Sequence, residues 1–302
     1  MDSYEIIIVG GGMAGLSAAL YAGWLGRKVF LVERQMFGGQ VVNADQIENF
    51  PGFPDGILGA DLVSQARMQA MKFAAKMRYA EITLINRRGE TFVVDSTEGS
   101  YEAAAVIIAT GGRARRLGVK GEAELEGKGV SRCATCDGTL FADKPVAVIG
   151  GGDTALDEAM YLSQIASRVT ILHQGDQLAG SCTLVTRVKE NPKVECVAGA
   201  VVEEIIGADA VAGVRLQNGI KVAVAGVFIA IGFEPETGLL KPLIELDSMG
   251  HAPVGLQMQT SIPGLYAVGP ARQGHVGQLA SAAGDGVTAA VAAHHYLARG
   301  TR

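Results

Sequence analysis

The sequence predicts an α/β protein of two related β-α-β domains, the second inserted within the first. Three observations carry that expectation. A glycine-rich turn between an apolar strand and a helix-like stretch occurs twice, at residues 10–15 and 150–155. Each turn is followed by an apolar strand ending in small residues, at Val106–Gly111 and again at Val227–Gly232. The stretch from 250 to 302 is too short for a third domain and ends in an alanine-rich helical pattern, so it returns to complete the first. At roughly 150 residues per domain, 302 residues suit two cores.

Taken in order, Ile6 to Val9 is a short apolar run that reads as a strand. The turn Gly10–Gly15 follows, then a helix with Leu16, Ala19, Leu20 and Gly23 on one face. The strand Lys28–Val32 closes this unit at Glu33. The second copy runs from the strand Val146–Ile149 through Gly150–Ala155 into a helix with Leu156, Ala159 and Met160 inward. The strand Arg168–Leu172 completes it. Residues 113–120 and 240–250 are polar, charged or proline-containing and read as connectors. The expected boundaries are 1–112 and 246–302 for the first domain and 113–245 for the inserted one.

Composition narrows the function. The 41 glycines are about twice the usual share of roughly 7%. With no G-x-y period and 48% apolar residues, the chain is neither collagen-like nor disordered. The surplus marks tight turns and close backbone approaches to a ligand. A formal charge of −5 without a basic run argues against nucleic acid as a partner. Charges interrupt every apolar stretch before the roughly 18 residues of a membrane span, and no signal-peptide pattern precedes the first strand. A soluble, cytoplasmic protein without a membrane partner is the expectation.

A dinucleotide's pyrophosphate needs a turn free of side chains, where backbone N–H groups and a helix N-terminus meet its charge. Gly10, Gly12 and Gly15 supply G-x-G-x-x-G, with Ala14 inside the motif. Glu33, 23 residues after Gly10, ends the next strand, where a carboxylate can accept hydrogen bonds from a ribose. The second fingerprint keeps the turn as Gly150, Gly152 and Ala155. The same spacing lands on His173, followed by Gln174 and Gly175. NAD calls for an acid there and NADP for arginines; this chain has neither, since Arg168 opens the strand at its other end. A working site and a domain kept for architecture are both open at this point.

Cys133-Ala-Thr-Cys136 lies just before the second unit. C-x-x-C can close a small disulfide ring or let one thiolate attack while the other resolves. Zinc would need two further ligands, and the five histidines show no ligand spacing. Cys182 and Cys196 read as small buried residues. Asp137 can shuttle the proton of thiolate chemistry or form an Asp-Gly turn with Gly138. A redox dithiol beside a dinucleotide core suggests a flavin, which can pass two electrons to a disulfide.

Over nearly its whole length the sequence resembles the low-molecular-weight thioredoxin reductases. The resemblance rests on Gly10-x-Gly12-x-x-Gly15, Gly38-Gly39-Gln40, Glu48-Asn49-Phe50-Pro51-Gly52, Ala109-Thr110-Gly111 and Cys133-Ala-Thr-Cys136-Asp137, continued by Val148–Gly152 and Leu265–Gly269. It implies two Rossmann-like, three-layer ββα domains, one for FAD and an inserted one of NAD(P) type, in a cytoplasmic homodimer. It implies that Cys136 receives the flavin's electrons, Cys133 attacks the disulfide of thioredoxin, and Asp137 serves as acid and base. The FAD contacts it implies fall on Gly10, Gly12, Ala14, Gly15, Glu33, Gly39, Gln40, Asn49, Gly111, Gly269, Gln278 and Leu279. It also implies that the two domains rotate against each other.

Two departures stand out. The family's NADPH-dependent members carry His-Arg-Arg and a further arginine, where this chain reads from His173 to Ala179 without one. The family's aspartate after the glycine at 269 is here Pro270. Together these resemble the deeply rooted or ferredoxin-dependent members, which do not use NADPH. The expected function is thus FAD-dependent reduction of a thioredoxin-like disulfide with a donor other than NADPH, such as ferredoxin. The rivals are an NADPH enzyme with an atypical phosphate site, a flavin dithiol oxidase using oxygen, and a flavin-bound redox sensor.

Overall fold

The computed structural model describes residues 2–44 and 46–299. The chain divides into two compact units, Met1–Arg113 with Glu234–Arg302, and Ala114–Phe233. In chain order the first unit begins with β1 (Asp2–Val9), α1 (Met13–Trp24), β2 (Val29–Glu33), α2 (Gly59–Lys72) and β3 (Lys76–Tyr79). It continues with β4 (Ile82–Arg88), β5 (Thr91–Ser96) and β6 (Gly99–Ile108), and β7 (Gly112–Ala114) leads across the boundary.

The second unit contains β8 (Val130–Ser131), α3 (Ala134–Asp137), β9 (Pro145–Ile149), α4 (Asp153–Ser163), β10 (Arg168–Leu172), α5 (Cys182–Glu190) and β11 (Val194–Val197). After them come β12 (Val202–Gly207), β13 (Val211–Leu216), β14 (Lys221–Val222) and β15 (Gly226–Ile229). The chain returns through β16 (Phe233–Pro235), and β17 (Leu265–Ala267) and α6 (Leu279–Arg299) complete the first unit.

In the first unit β3-β2-β1-β6 run parallel, with Ile6 opposite Val29 on one side and Ala105 on the other. On the side away from β1, the ten-residue β6 serves two neighbours in turn: its first half pairs antiparallel with β5, and its last residues pair with β17. Strand alternation sorts the core into two layers. Ile6, Ile8, Leu31 and Ile107 face α1 and α6, while Ile7, Val9, Phe30 and Ile108 face the β4–β5 side with Ile85 and Phe92. The second unit repeats the plan with the parallel order β11-β10-β9-β15-β8. Val146, Val148 and Ile171 pack under α4, and Ala147, Ile149 and Leu172 under the β12–β13 hairpin. Both units are thus α/β layers around a parallel sheet.

Three expectations are corrected. Residues 240–250 are no connector: Leu240 and Ile244 are buried against the first unit's sheet, so the inserted unit ends at Phe233 rather than 245. The apolar spacing of Leu240, Leu243, Ile244 and Leu246 among charges is what packs there. The helix α1 has no single inward face; Met13 to Ala19 are all buried, because alanine and glycine let both the sheet and α6 come close, whereas Leu20 and Gly23 are only half-buried. Cys182 and Cys196 are exposed, since one opens α5 and the other lies on an edge strand. Among the described residues no helix is long and apolar enough to cross a membrane.

Candidate functional site

The first glycine turn is built by close backbone crossings. A Cβ on Gly10, whose φ is +104°, would lie 2.3 Å from the Ala109 carbonyl oxygen, and one on Gly15 would lie 1.9 Å from that of Gly10. Gly12 differs: its φ is −70° and a Cβ there would meet nothing within 4 Å. It is the N-cap of α1, and no side chain caps that helix start. The turn therefore leaves an open, side-chain-free face at a helix N-terminus, which suits a diphosphate.

Glu33 is fixed beside this face. Its carboxylate accepts the N–H of Gly11 at 2.7 Å and that of Gln35 at 2.8 Å, with lone pairs left for ribose hydroxyls. Gly38 donates its N–H to the Gly11 carbonyl at 2.7 Å, which brings Gly39 against Gly12. Gln40 is exposed on the short turn Gly39–Asn43. Asn49 and Gln278, 229 positions apart, meet through an Nδ2–H to Oε1 bond of 3.1 Å, and Leu279 packs with Met13. Gly269 lies close to Ala14, and Gly111, with φ +69°, follows the Ala109 segment that covers Gly10. The predicted residues of the first unit thus gather at one end of its sheet.

Sequence reasoning missed a buried ion pair here. Asp285 in α6 accepts the Gly269 N–H at 3.0 Å and the Arg272 guanidinium through Nε at 2.7 Å and Nη2 at 2.9 Å. With Pro270 next to Gly269, the carboxylate at this turn comes from α6. A lone acid between Gly284 and Gly286 in an alanine-rich helix was the available signal.

The second turn repeats the first in detail. A Cβ on Gly150 would lie 2.1 Å from the Ala230 carbonyl oxygen, and Gly232 has φ +88° as Gly111 has +69°. Gly152, like Gly12, opens onto free space. The contrast lies beside it: where Glu33 packs against Gly11, the buried ring of His173 packs against Gly151. The segment after it folds back over the turn, Ala179 donating its N–H to the Gly151 carbonyl and Ser181 to the Asp153 carboxylate.

Cys133 and Cys136 form a disulfide. Cys133 is the N-cap of α3, and its Sγ accepts the N–H of Cys136 at 3.2 Å. Cys133 is half-buried and Cys136 exposed. Ser131 orients the pair: its hydroxyl accepts the Cys133 N–H at 3.1 Å and donates to the Asp137 carboxylate at 2.6 Å. Asp137 therefore turns to Ser131, a charge-assisted bond that holds the acid at the base of the dithiol helix. Arg132 is pinned by Glu122 at 2.7 Å and by Glu126. Among the described residues no group of histidine, cysteine and carboxylate could hold a metal.

Comparison with known proteins follows the same lines. The family described as pyridine nucleotide-disulphide oxidoreductase matches residues 4–286. A thioredoxin reductase of Mycolicibacterium smegmatis is 38% identical over 301 residues, covering 98% of this chain and 97% of its own. The crystal structure of Lactococcus lactis thioredoxin reductase superposes with a TM-score of 0.95 at 33% identity, covering 98% of this chain and 99% of its own. A ferredoxin-flavin thioredoxin reductase from Clostridium acetobutylicum matches at 31% identity and a TM-score of 0.55, over 99% of both chains.

Proposed function

The chain belongs to the pyridine nucleotide-disulphide oxidoreductase family, in its low-molecular-weight thioredoxin reductase branch, and from that premise we propose that it reduces a thioredoxin-like disulfide with electrons from a donor other than NADPH. FAD, which the family implies, fits the first unit: Gly12 leaves the phosphate face open and Glu33 is held where a ribose would be met. Gly39, Asn49, Gly269 and Gln278 would complete its contacts. When bound, FAD supplies a two-electron carrier able to reduce a disulfide.

The dithiol chemistry is assigned to Cys133, Cys136 and Asp137. Reduction breaks the S–S bond with two electrons. The Cys136 N–H that already points at Cys133 Sγ then stabilises a thiolate there. That thiolate attacks one sulfur of the target, whose other sulfur leaves as the mixed disulfide forms; Cys136 then attacks Cys133 Sγ, re-forming the disulfide and releasing the target's first sulfur. Asp137, oriented by Ser131, gives and takes the proton.

The observation that carries the donor claim is the second turn. His173 occupies the ribose-reading position, and residues 174–179 bring no arginine to it. Losing two or three charge-assisted contacts to a 2′-phosphate, each worth about 1.5–3 kcal/mol, weakens NADPH by orders of magnitude. The ferredoxin-flavin relative makes reduced ferredoxin the first donor to try. The test is an anaerobic titration with NADPH, NADH, reduced ferredoxin and dithionite, followed by flavin bleaching. Bleaching by ferredoxin or dithionite but not by NADPH is expected; rapid stoichiometric bleaching by NADPH would overturn the donor assignment.

A further inference from the structure

In the inserted unit α4 does two jobs. Its N-terminus forms the second glycine turn, and further along its length it meets the dithiol helix. Glu158, Tyr161 and Leu162 follow at i, i+3 and i+4 and share one face of α4, and Ile165 lies just past its C-terminal end. The last three close on Gly138, where a Cβ would meet them at 3.1–3.6 Å. Glu158 stands at the head of this stripe, and its carboxyl accepts the backbone N–H of Ala134, the residue after Cys133. Its Oε2 is sealed from solvent with no hydrogen-bond partner among the described residues.

A leucine would pack this stripe without the cost of a buried, half-satisfied carboxyl. The chemistry of its neighbours gives the acid a use. At the start of α3 two of the N–H groups go to different acceptors: Ala134 N–H to Glu158 and Cys136 N–H to Cys133 Sγ. When two electrons break the S–S bond, one proton makes Cys136 a thiol and negative charge is left on Cys133. An ionised Glu158, held at Ala134 beside Cys133, opposes that charge, and a protonated one does not.

We propose that Glu158 is a positioning residue for the Cys133/Cys136 pair, anchoring the dithiol helix through Ala134 and holding a proton so that Cys133 can carry the thiolate. The proposal rests on the reading of Cys133 as the attacking sulfur. Burial pushes the Glu158 carboxyl up to about 7, the Ala134 N–H pulling it down and the like charge of Asp157 adding to the rise. The elements packed against α4 carry Asp137 on α3, Arg168 on β10, Arg187, Lys189 and Glu190 on α5, and Glu195 on β11. Asp157, on α4 itself, is the charged group acting on the carboxyl. The role also gives the second β-α-β unit a reason to be kept: its helix carries the group that governs the dithiol.

The test is the pH dependence of Cys133 alkylation. The FAD-loaded enzyme is reduced anaerobically with dithiothreitol, freed of it, and treated with iodoacetamide, the modified peptide being followed by mass spectrometry. Wild type and Glu158→Gln are expected to react alike at pH 5.5. Near pH 8 the variant reacts about three- to tenfold faster, because ionised Glu158 holds back the wild-type thiolate; one unit of thiol acidity is about tenfold. Glu158→Leu, neutral and apolar, gives the same change in profile should the glutamine variant fold poorly. Identical profiles, or a ratio that is the same at every pH, would overturn the proposal. Thioredoxin reduction that survives Cys133→Ser would instead overturn the dithiol assignment, so the two failures are told apart.

Discussion

Glu122 lies almost wholly inside the second unit and still serves as an anion. Its burial alone would raise its carboxyl, yet the N–H groups of Gly118 and Leu117 and the Arg132 guanidinium together hold it below the usual carboxylate range. A lowered acid contributes stability above its unfolded value near 4.5, and that contribution is lost as pH falls through the lower folded value. Glu122→Gln leaves Arg132 partly buried against Glu126 alone, so a loss of about 3–5 kcal/mol in chemical denaturation at pH 7 is expected. Glu158 has the opposite sign. The folded state keeps its proton up to about 7 while the unfolded chain releases it near 4.5, so its contribution is whole below 4.5 and lost as pH rises to 7. Between pH 4.5 and 8 the wild type should lose roughly 3 kcal/mol more than Glu158→Gln, read as the difference in their urea midpoints across that range. Equal pH slopes would remove the acid from this role.

At the scale of elements, the two glycine turns are one device used twice with different neighbours. Within each, glycines have separate duties. A Cβ at Gly15 strikes the Gly10 carbonyl oxygen at 1.9 Å, so Gly15→Ala should lower the melting temperature of the apoprotein, overpacking of this kind costing about 1–3 kcal/mol. A Cβ at Gly12 meets no protein atom within 4 Å, so Gly12→Ala should leave apoprotein stability unchanged and weaken FAD about ten- to a hundredfold, which equilibrium dialysis would measure. Gly152→Ala is the control in the second turn, expected to keep both stability and FAD. Both turns were legible in the sequence because their chemistry is local: strand, glycine spacing and helix lie within 20 residues. The Asp285–Arg272 pair and the Ser131–Asp137 bond were not, since each joins residues whose partners depend on how elements pack. The misplacement of Cys182 and Cys196 has the same origin, because a sequence does not say which strand ends up at an edge or which helix start stays open.

At the scale of the whole molecule, the inserted unit leaves the first unit's sheet intact. Within the first unit the ends flanking the insertion are tied, Glu236 donating its N–H to the Gly111 carbonyl at 3.0 Å and Thr110 its hydroxyl to the Glu236 carbonyl at 2.5 Å. Replacing 114–233 by a short glycine-serine linker should therefore yield a chain that folds cooperatively, keeps FAD and has no disulfide activity. Loss of FAD from a folded product would show that the cradle needs the insertion. The linker cost is small, because loop-closure entropy grows only with the logarithm of length.

The sequence by itself determined the α/β class, the duplicated turn, the dithiol and the missing arginines, all written in residues close along the chain. The return of 250–302 to the first unit was legible from length alone, and its boundary at 234 was not. Only the tertiary structure decided that Leu240 and Ile244 belong to the first core, that Asp285 supplies the carboxylate beside Pro270, and that Glu158 reaches Ala134. The reason is physical. Backbone turns are fixed by the residues that form them, whereas burial, and with it the charge a carboxyl will carry, is fixed by what folds on top.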